Sequence, residues 1–236
     1  MSRKTIAIIP ARGGSKRCPQ KNVALFKGRP LVAHSIDQAL RSRIFDQILV
    51  SADDPEIMSI AADYDVLLDR REEALASDNA PLIDLIRHLI HKYAWPDETV
   101  LALLLVTGPL RTIQDIINSY HLFLQSDQTR SVVSVTPNEY PVEMNWQLNN
   151  GLLEPYLPQW DFKSTKKQDF PQSYRYNDAA ILDLAGNFSD PERNLFGKQP
   201  LPYIMPLERS LNIDYQFQLK LVQLLGMYDK QTIENA

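Results

Sequence analysis

The chain has 236 residues, 44% of them apolar and 23% charged, enough to bury the core of one α/β domain with a small lobe. Its formal net charge of -4 gives a nucleic-acid partner no general electrostatic support, and no apolar run reaches the length that crosses a bilayer. The lone cysteine, Cys18, excludes an internal disulfide framework; with no apolar leader at the N-terminus, the expectation is a cytoplasmic protein that partners neither nucleic acid nor membrane.

Thr5–Pro10 is a short apolar, β-branched run of the kind that forms a buried strand. It breaks into a loop holding Gly13, Gly14 and Ser15 among the cations Arg12, Lys16, Arg17 and Lys21, with no acidic residue between Ala11 and Asn22. Adjacent glycines let backbone N–H groups turn toward one point, and arginine binds phosphate oxygens in bidentate fashion. A strand running into such a loop, in a chain that is acidic overall, reads as a phosphate cradle. The plainer reading is a solvated basic loop. Walker A is excluded, because Pro19 interrupts and Asn22 follows Lys21, and the glycine fingerprint of dinucleotide-binding folds is absent. Cys18 lies in the basic loop without an evident general-base partner.

Pro30–Ser42 is expected to be helical, with proline in the first turn. Gln47–Val50 is the next strand, and Asp54-Pro55 reads as the cap and first residue of a helix to about Tyr64. A short strand at Val66–Leu68 leads to Arg71 and then Asp78, which are either ligand-binding groups or a surface charge cluster and a helix cap. Pro81–Tyr93 is a helix. Thr99–Val106 is apolar enough to be a central strand, and a helix from Ile113 to about Leu124 and a strand at Ser131–Thr136 follow the segment Thr107–Thr112. Alternating strands and helices imply right-handed crossovers and a mainly parallel sheet covered on both faces. The loops at 11–22, 51–54 and 107–111 then fall at the carboxyl ends of the strands, where such sheets bind ligands.

Regularity fades over 137–175, a proline-punctuated span with Tyr140, Trp146, Tyr156, Trp160 and Phe162. Too apolar for a linker, it either packs on a second copy of the chain or folds back on its own domain. A strand at Ala179–Leu184 and an amphipathic helix after Asp214, to about Leu225, close the chain. His34, His88, His91 and His121 fall in helices and read as structural or surface residues.

Ile9–Arg17, IPARGGSKR, followed by Lys21-Asn22, resembles the opening of the acylneuraminate cytidylyltransferases, the CMP-sialic acid synthetases and their legionaminic and pseudaminic acid relatives. The Kdo cytidylyltransferases come second, since they usually lack the double glycine followed by Ser-Lys-Arg. The resemblance runs from Ile6 to Leu225, tight over the first 55 residues and looser after Arg71. It implies a Rossmann-like α/β fold of the nucleotide-diphospho-sugar transferase type over residues 1–236, with 137–175 as a protruding dimerisation and acceptor-site segment of a homodimer. It further implies transfer of CMP from CTP to a nine-carbon α-keto acid sugar, with Mg²⁺ as cofactor.

By the same resemblance Arg12 meets the α-phosphate, Lys21 the leaving pyrophosphate and Asn22 orients the nucleotide, with Gly13, Gly14, Ser15 and Lys16 as the cradle. Arg71 and Asp78 recognise cytosine and ribose, while Thr107, Arg111, Lys167, Gln172, Arg175 and Asn177 fall on the acceptor side. Asp214 is the implied metal ligand together with Asn212, which stands where the family has a first aspartate. Glu72 replaces a proline. Further departures, at Leu105, Gly108, Glu143 and Asp178, cluster on the acceptor side and imply either a different nonulosonic acid or a homologue that binds nucleotide without turnover.

Overall fold

The computed structural model describes residues 3–77, 79–157 and 166–227. In chain order the elements are β1 (Thr5–Pro10), the two-residue strands β2 (Leu25–Phe26) and β3 (Arg29–Pro30), α1 (Leu31–Ser42), β4 (Gln47–Ala52), α2 (Pro55–Ala62), β5 (Leu67–Arg70), α3 (Glu73–Ala76) and α4 (Leu82–Lys92). There follow β6 (Val100–Leu103), α5 (Ile113–Gln125), β7 (Val132–Pro137), β8 (Trp146–Asn149), β9 (Leu152–Pro155), β10 (Tyr174–Leu184), α6 (Ala185–Ser189), β11 (Leu201–Ile204) and α7 (Gln216–Met227).

The main sheet has seven strands in the order β11-β7-β10-β6-β1-β4-β5. Neighbours are parallel except around β10, which runs antiparallel to both β6 and β7. The apolar strands bury both faces because their side chains alternate between two cores. Ala7 and Ile9 of β1, with Val100 and Ala102 of β6, pack beneath α1, α2, α5 and α7. Ile6 and Ile8, with Leu101 and Leu103, pack against α4 and α6 on the other side.

Most expected elements form where periodicity placed them, and the differences have local causes. Pro30 precedes the helix as its cap position instead of standing inside the first turn. The Asp54 carboxylate accepts from the backbone N–H groups of Glu56 and Ile57 at 2.8 and 3.1 Å, so it is a helix cap. The ladder of β6 ends at Leu103, short of Val106, as the chain turns toward the cleft. β10 starts at Tyr174 rather than Ala179, and its register shifts between Tyr176 and Ile181, a bulge that contains Asp178 at φ +60°. β11 was not expected from the sequence; it is an edge strand, where Pro202 costs no ladder bond.

Within 137–175, β8 and β9 form an isolated hairpin around Asn150-Gly151, both at positive φ, as a two-residue type I′ turn requires. Leu148, Leu152 and Leu153 are 74%, 71% and 64% exposed, so the hairpin buries little against its own domain. Trp160 and Phe162 lie outside the described residues.

One buried carboxylate fastens the C-terminal loop to the sheet. Asp115 closes a capping box with Thr112 and also accepts from Tyr203 of β11 at 3.0 Å and from Arg209 at 2.8 and 3.2 Å. Burial pushes its pKa up, but the bonds from Arg209 and Thr112 outweigh burial and hold it below its ordinary value of 3.8. The stabilisation is therefore complete above that ordinary value and disappears as pH falls through the lowered one. Asp115→Ala is expected to cost about 3 kcal/mol at neutral pH by urea unfolding. The gap from wild type should shrink below pH ~4, as the wild-type carboxylate itself takes up a proton.

Candidate active site

The glycine loop leaves the buried end of β1 and is pinned by β4 and its turn. The Ala11 N–H donates to the Ser51 carbonyl at 2.9 Å, and the Gly13 N–H donates to the Asp53 carboxylate at 2.8 Å. A Cβ on Gly13 would fall 2.7 Å from the Cβ of Asp54, so only glycine lets the loop pass this close to the capping turn. Asn22 is buried and donates from Nδ2 to the Arg12 carbonyl at 2.8 Å, which sets the bend from which the Arg12 side chain departs. The Arg12 guanidinium reaches the Ser77 carbonyl at 3.2 Å.

Arg12, Lys21 and Asn22 line a cleft of about 330 Å³ whose other walls include Arg71, Thr107, Tyr176, Asp178 and Asp214. A shallower depression of about 460 Å³ adjoins it around Gly13, Gly14, Ser15 and Lys16. The cleft lies beyond the carboxyl ends of β1, β5 and β6, the edge at which open α/β sheets take their ligands.

Its charge is balanced from two sides. Lys21 donates to the Ile213 carbonyl at 3.1 Å and stands 4.0 Å from Asp214; burial lowers its pKa against the opposing pull of that carboxylate. Arg71 is almost fully buried and binds the Ser51 carbonyl at 2.9 Å and the Ser51 hydroxyl at 3.3 Å. Burial brings its pKa down to about 10, so it keeps its charge at neutral pH. Ser51 in turn donates to buried Asp69 at 2.8 Å, and Lys92 of α4 caps that carboxylate at 2.6 Å. Tyr176 also lines the cleft, and its hydroxyl is buried with no hydrogen-bond partner among the described residues.

The acceptor-side residues separate into three groups. Thr107 reaches the cleft and donates to Asp178 at 2.9 Å. Arg111 and Asn177 do not reach it. Arg111 is 1% exposed and donates to the carbonyls of Leu105 and Ala179, to Gln38 and to Ser35. Asn177 donates to Ser210 and accepts from the Ala179 N–H. Both hold β10 in place; the direct substrate contact expected of them is not what their geometry offers. Lys167, Gln172 and Arg175 also stand away from the chain's own cleft. Lys167 covers the Tyr140 ring at 3.6 Å, Gln172 donates to the Ser173 carbonyl at 2.7 Å, and Arg175 donates to the Ser210 carbonyl at 3.3 Å. Asp78 lies outside the described residues.

Asn212 and Asp214 come together with a third residue. The Asn212 amide donates to Asp214 at 3.2 Å and to Asp178 at 3.5 Å. Burial raises the Asp178 pKa, and nearby Asp214 raises it further. Sequence reasoning noticed Asp178 only as a departure on the acceptor side. It missed Asp53 and Ser51 as anchors, since a residue that steadies another across the fold carries no local signal.

The family model described as Cytidylyltransferase matches residues 6–103. The pseudaminic acid cytidylyltransferase of Campylobacter jejuni subsp. jejuni (serotype O:23/36, strain 81-176) is 30% identical over 94% of this chain and 96% of its own length. The chain belongs to the acylneuraminate-type cytidylyltransferase family. The N-acylneuraminate cytidylyltransferase of Escherichia coli O18:K1:H7 is 31% identical over 94% of the chain, which spans only 52% of that longer relative. Among solved structures, a CMP:2-keto-3-deoxy-manno-octonic acid synthetase complexed with CTP superposes with a TM-score of 0.67 over 94% of this chain and 98% of its own, at 14% identity, a likeness of fold.

Arg111 thus reads as part of the framework more than as a ligand contact. Arg111→Ala would leave several buried acceptors without donors and a cavity at the base of α1. It is expected to lower stability by about 3–5 kcal/mol in urea unfolding. A normal unfolding midpoint with weakened acceptor binding would instead return Arg111 to the acceptor site.

Proposed function

We propose that this protein transfers CMP from CTP to the anomeric hydroxyl of a nine-carbon α-keto acid sugar, releases pyrophosphate, uses Mg²⁺ and works as a cytoplasmic homodimer. The observation that carries the reading is the meeting of Arg12, Lys21, Asn22, Arg71 and Asp214 in one cleft beside the Gly13-Gly14 depression. The names of the relatives support the sugar class.

In this reading the acceptor hydroxyl oxygen attacks the α-phosphorus and gives up its proton to water. The bond from the α-phosphorus to the bridging oxygen breaks as pyrophosphate departs. Such an in-line displacement needs alignment and charge neutralisation rather than a covalent protein nucleophile. Arg12 takes the charge developing on the α-phosphate, and Lys21 takes that of the leaving pyrophosphate. Arg71, steadied by Ser51, reads the nucleoside from the α3 side of the cleft.

The donor set beside Lys21 is oxygen-rich and anionic, which suits Mg²⁺. Asp214 and the amide oxygen of Asn212 would hold the ion; when bound it neutralises phosphate charge. Lys167 and Arg175 stand off the chain's own cleft, so neither meets the sugar carboxylate from this side. In a homodimer the exposed hairpin of β8 and β9 would dock on a second copy and carry the 137–175 segment toward the neighbouring cleft.

Pyrophosphate release from CTP with N-acetylneuraminic, legionaminic, pseudaminic and Kdo acids tests the reaction. Turnover with one of the nine-carbon acids is expected, lowered about 10²–10³-fold by Arg12→Ala. CTP binding without release for any acid would favour the non-catalytic homologue, and turnover with Kdo alone would favour the eight-carbon acceptor. For the dimer, replacing Leu148 and Leu153 together with glutamate should yield a monomer in sedimentation velocity. A dimer that survives the change would place the interface elsewhere.

A further inference from the structure

Three positions at which the sequence departs from the family pattern, Gly108, Asp178 and Asn212, lie far apart in the chain and meet at one point beside Asp214. Asp178 projects a carboxylate at the place where the resemblance expects no side chain. Its Oδ2 is held by the Thr107 hydroxyl at 2.9 Å and faces the Asn212 amide at 3.5 Å, and the same amide nitrogen reaches Asp214 at 3.2 Å. The backbone at Asp178 has φ +60°, a left-handed conformation that aspartate adopts more readily than most residues other than glycine. Gly108 makes room for it: a Cβ at 108 would stand 2.9 Å from the Asp178 carbonyl oxygen and 3.2 Å from the Ala179 Cα. A serine there, as the resemblance expects, would push this bulge away from Thr107.

We propose that Asp178 supplies the carboxylate missing at position 212, so that Asp178 and Asp214 together hold the divalent cation that accompanies CTP, with Asn212 as a neutral bridge between them. The inference rests on the cytidylyltransferase reading above. The carboxylate has been relocated across the fold, from the strand of chain entering α7 to the bulge of β10, so that the site keeps a carboxylate pair. Two carboxylates, an amide oxygen and a threonine hydroxyl form a hard-oxygen set, and Mg²⁺ needs only one or two carboxylates beside water and phosphate oxygens. Tyr176 lines the same cleft, and its buried hydroxyl has no partner among the described residues. Asn212 donates to both carboxylates in this arrangement; presenting its oxygen to a cation requires the amide to turn over, which needs no backbone movement.

The test measures Mn²⁺ binding in the presence of CTP by electron paramagnetic resonance, with CTP binding followed separately by calorimetry. Asp178→Asn keeps the shape and the left-handed backbone, and is expected to weaken Mn²⁺ binding at least about tenfold while the protein stays folded. Asp178→Gly should do the same, and adding Asn212→Asp to it should restore binding, because the pair is then rebuilt at the other position. Gly108→Ser, which touches no ligand atom, should weaken Mn²⁺ binding by displacing Asp178. Unchanged Mn²⁺ affinity in Asp178→Asn, or failure of the double variant to recover, overturns the assignment of Asp178. In that case wild-type turnover would leave the cytidylyltransferase reading standing. A wild-type protein that binds no CTP overturns both.

Discussion

The buried guanidinium of Arg111 is the tie on which the cleft depends. It leaves the turn after β6, passes under α1 to reach Ser35 and Gln38, and meets the Ala179 carbonyl on β10. Among the described residues no carboxylate accepts a hydrogen bond from it. Its charge is shared among neutral oxygens, and burial brings its pKa down to about 10. That tie joins the α1 layer to β10, which runs against both of its neighbours in the main sheet. Since the bulge of β10 carries Asp178, and the turn before Arg111 carries Thr107, one buried cation fixes the distance between two walls of the site.

A second set of restraints works from the nucleotide side. Asp53 holds Gly13, Asn22 holds the Arg12 carbonyl, and Ser51 holds Arg71. In each case a residue that lines the cleft or the adjoining depression is steadied by a group from a neighbouring strand or turn. Preorganisation of this kind lets charge be met as it develops without rearranging the protein. Asp115 extends the same logic to the C-terminal loop: its grip on Arg209 and Tyr203 sets where the chain runs on to Asp214.

The nucleotide half of this design was legible in the sequence because it is local. A β-branched run ending in glycines and cations states both a strand and a cradle, and Asp54-Pro55 states a helix start that the structure shows in full. Asn150-Gly151 was also legible as a hairpin turn, but the surrounding prolines and aromatics drew attention to the segment's composition instead. The direction of β10 and the existence of β11 were hidden. An apolar strand reads the same in either direction, and four residues containing Pro202 carry too little pattern to mark an edge. Arg111 and Asn177 were placed on the acceptor side because they match motif residues of the family that the chain resembles; that their donors are directed into the framework depends on Ser35, Gln38 and Ser210, which no motif connects to them.

The departures on the acceptor side show what a linear reading loses. Taken in order, a glycine at 108, an aspartate at 178 and an asparagine at 212 look like three separate losses, and three losses argue for a decaying site. In space they interlock: the glycine makes room for the bulge, the bulge presents the aspartate, and the asparagine bridges it to Asp214. A site drifting without constraint has no reason to place a new carboxylate within hydrogen-bond reach of the position that lost one. Relocation instead changes the direction from which a cation would be gripped, from one loop to two walls. It thereby couples the grip to the geometry of β10, and so to Arg111 and the acceptor side of the cleft.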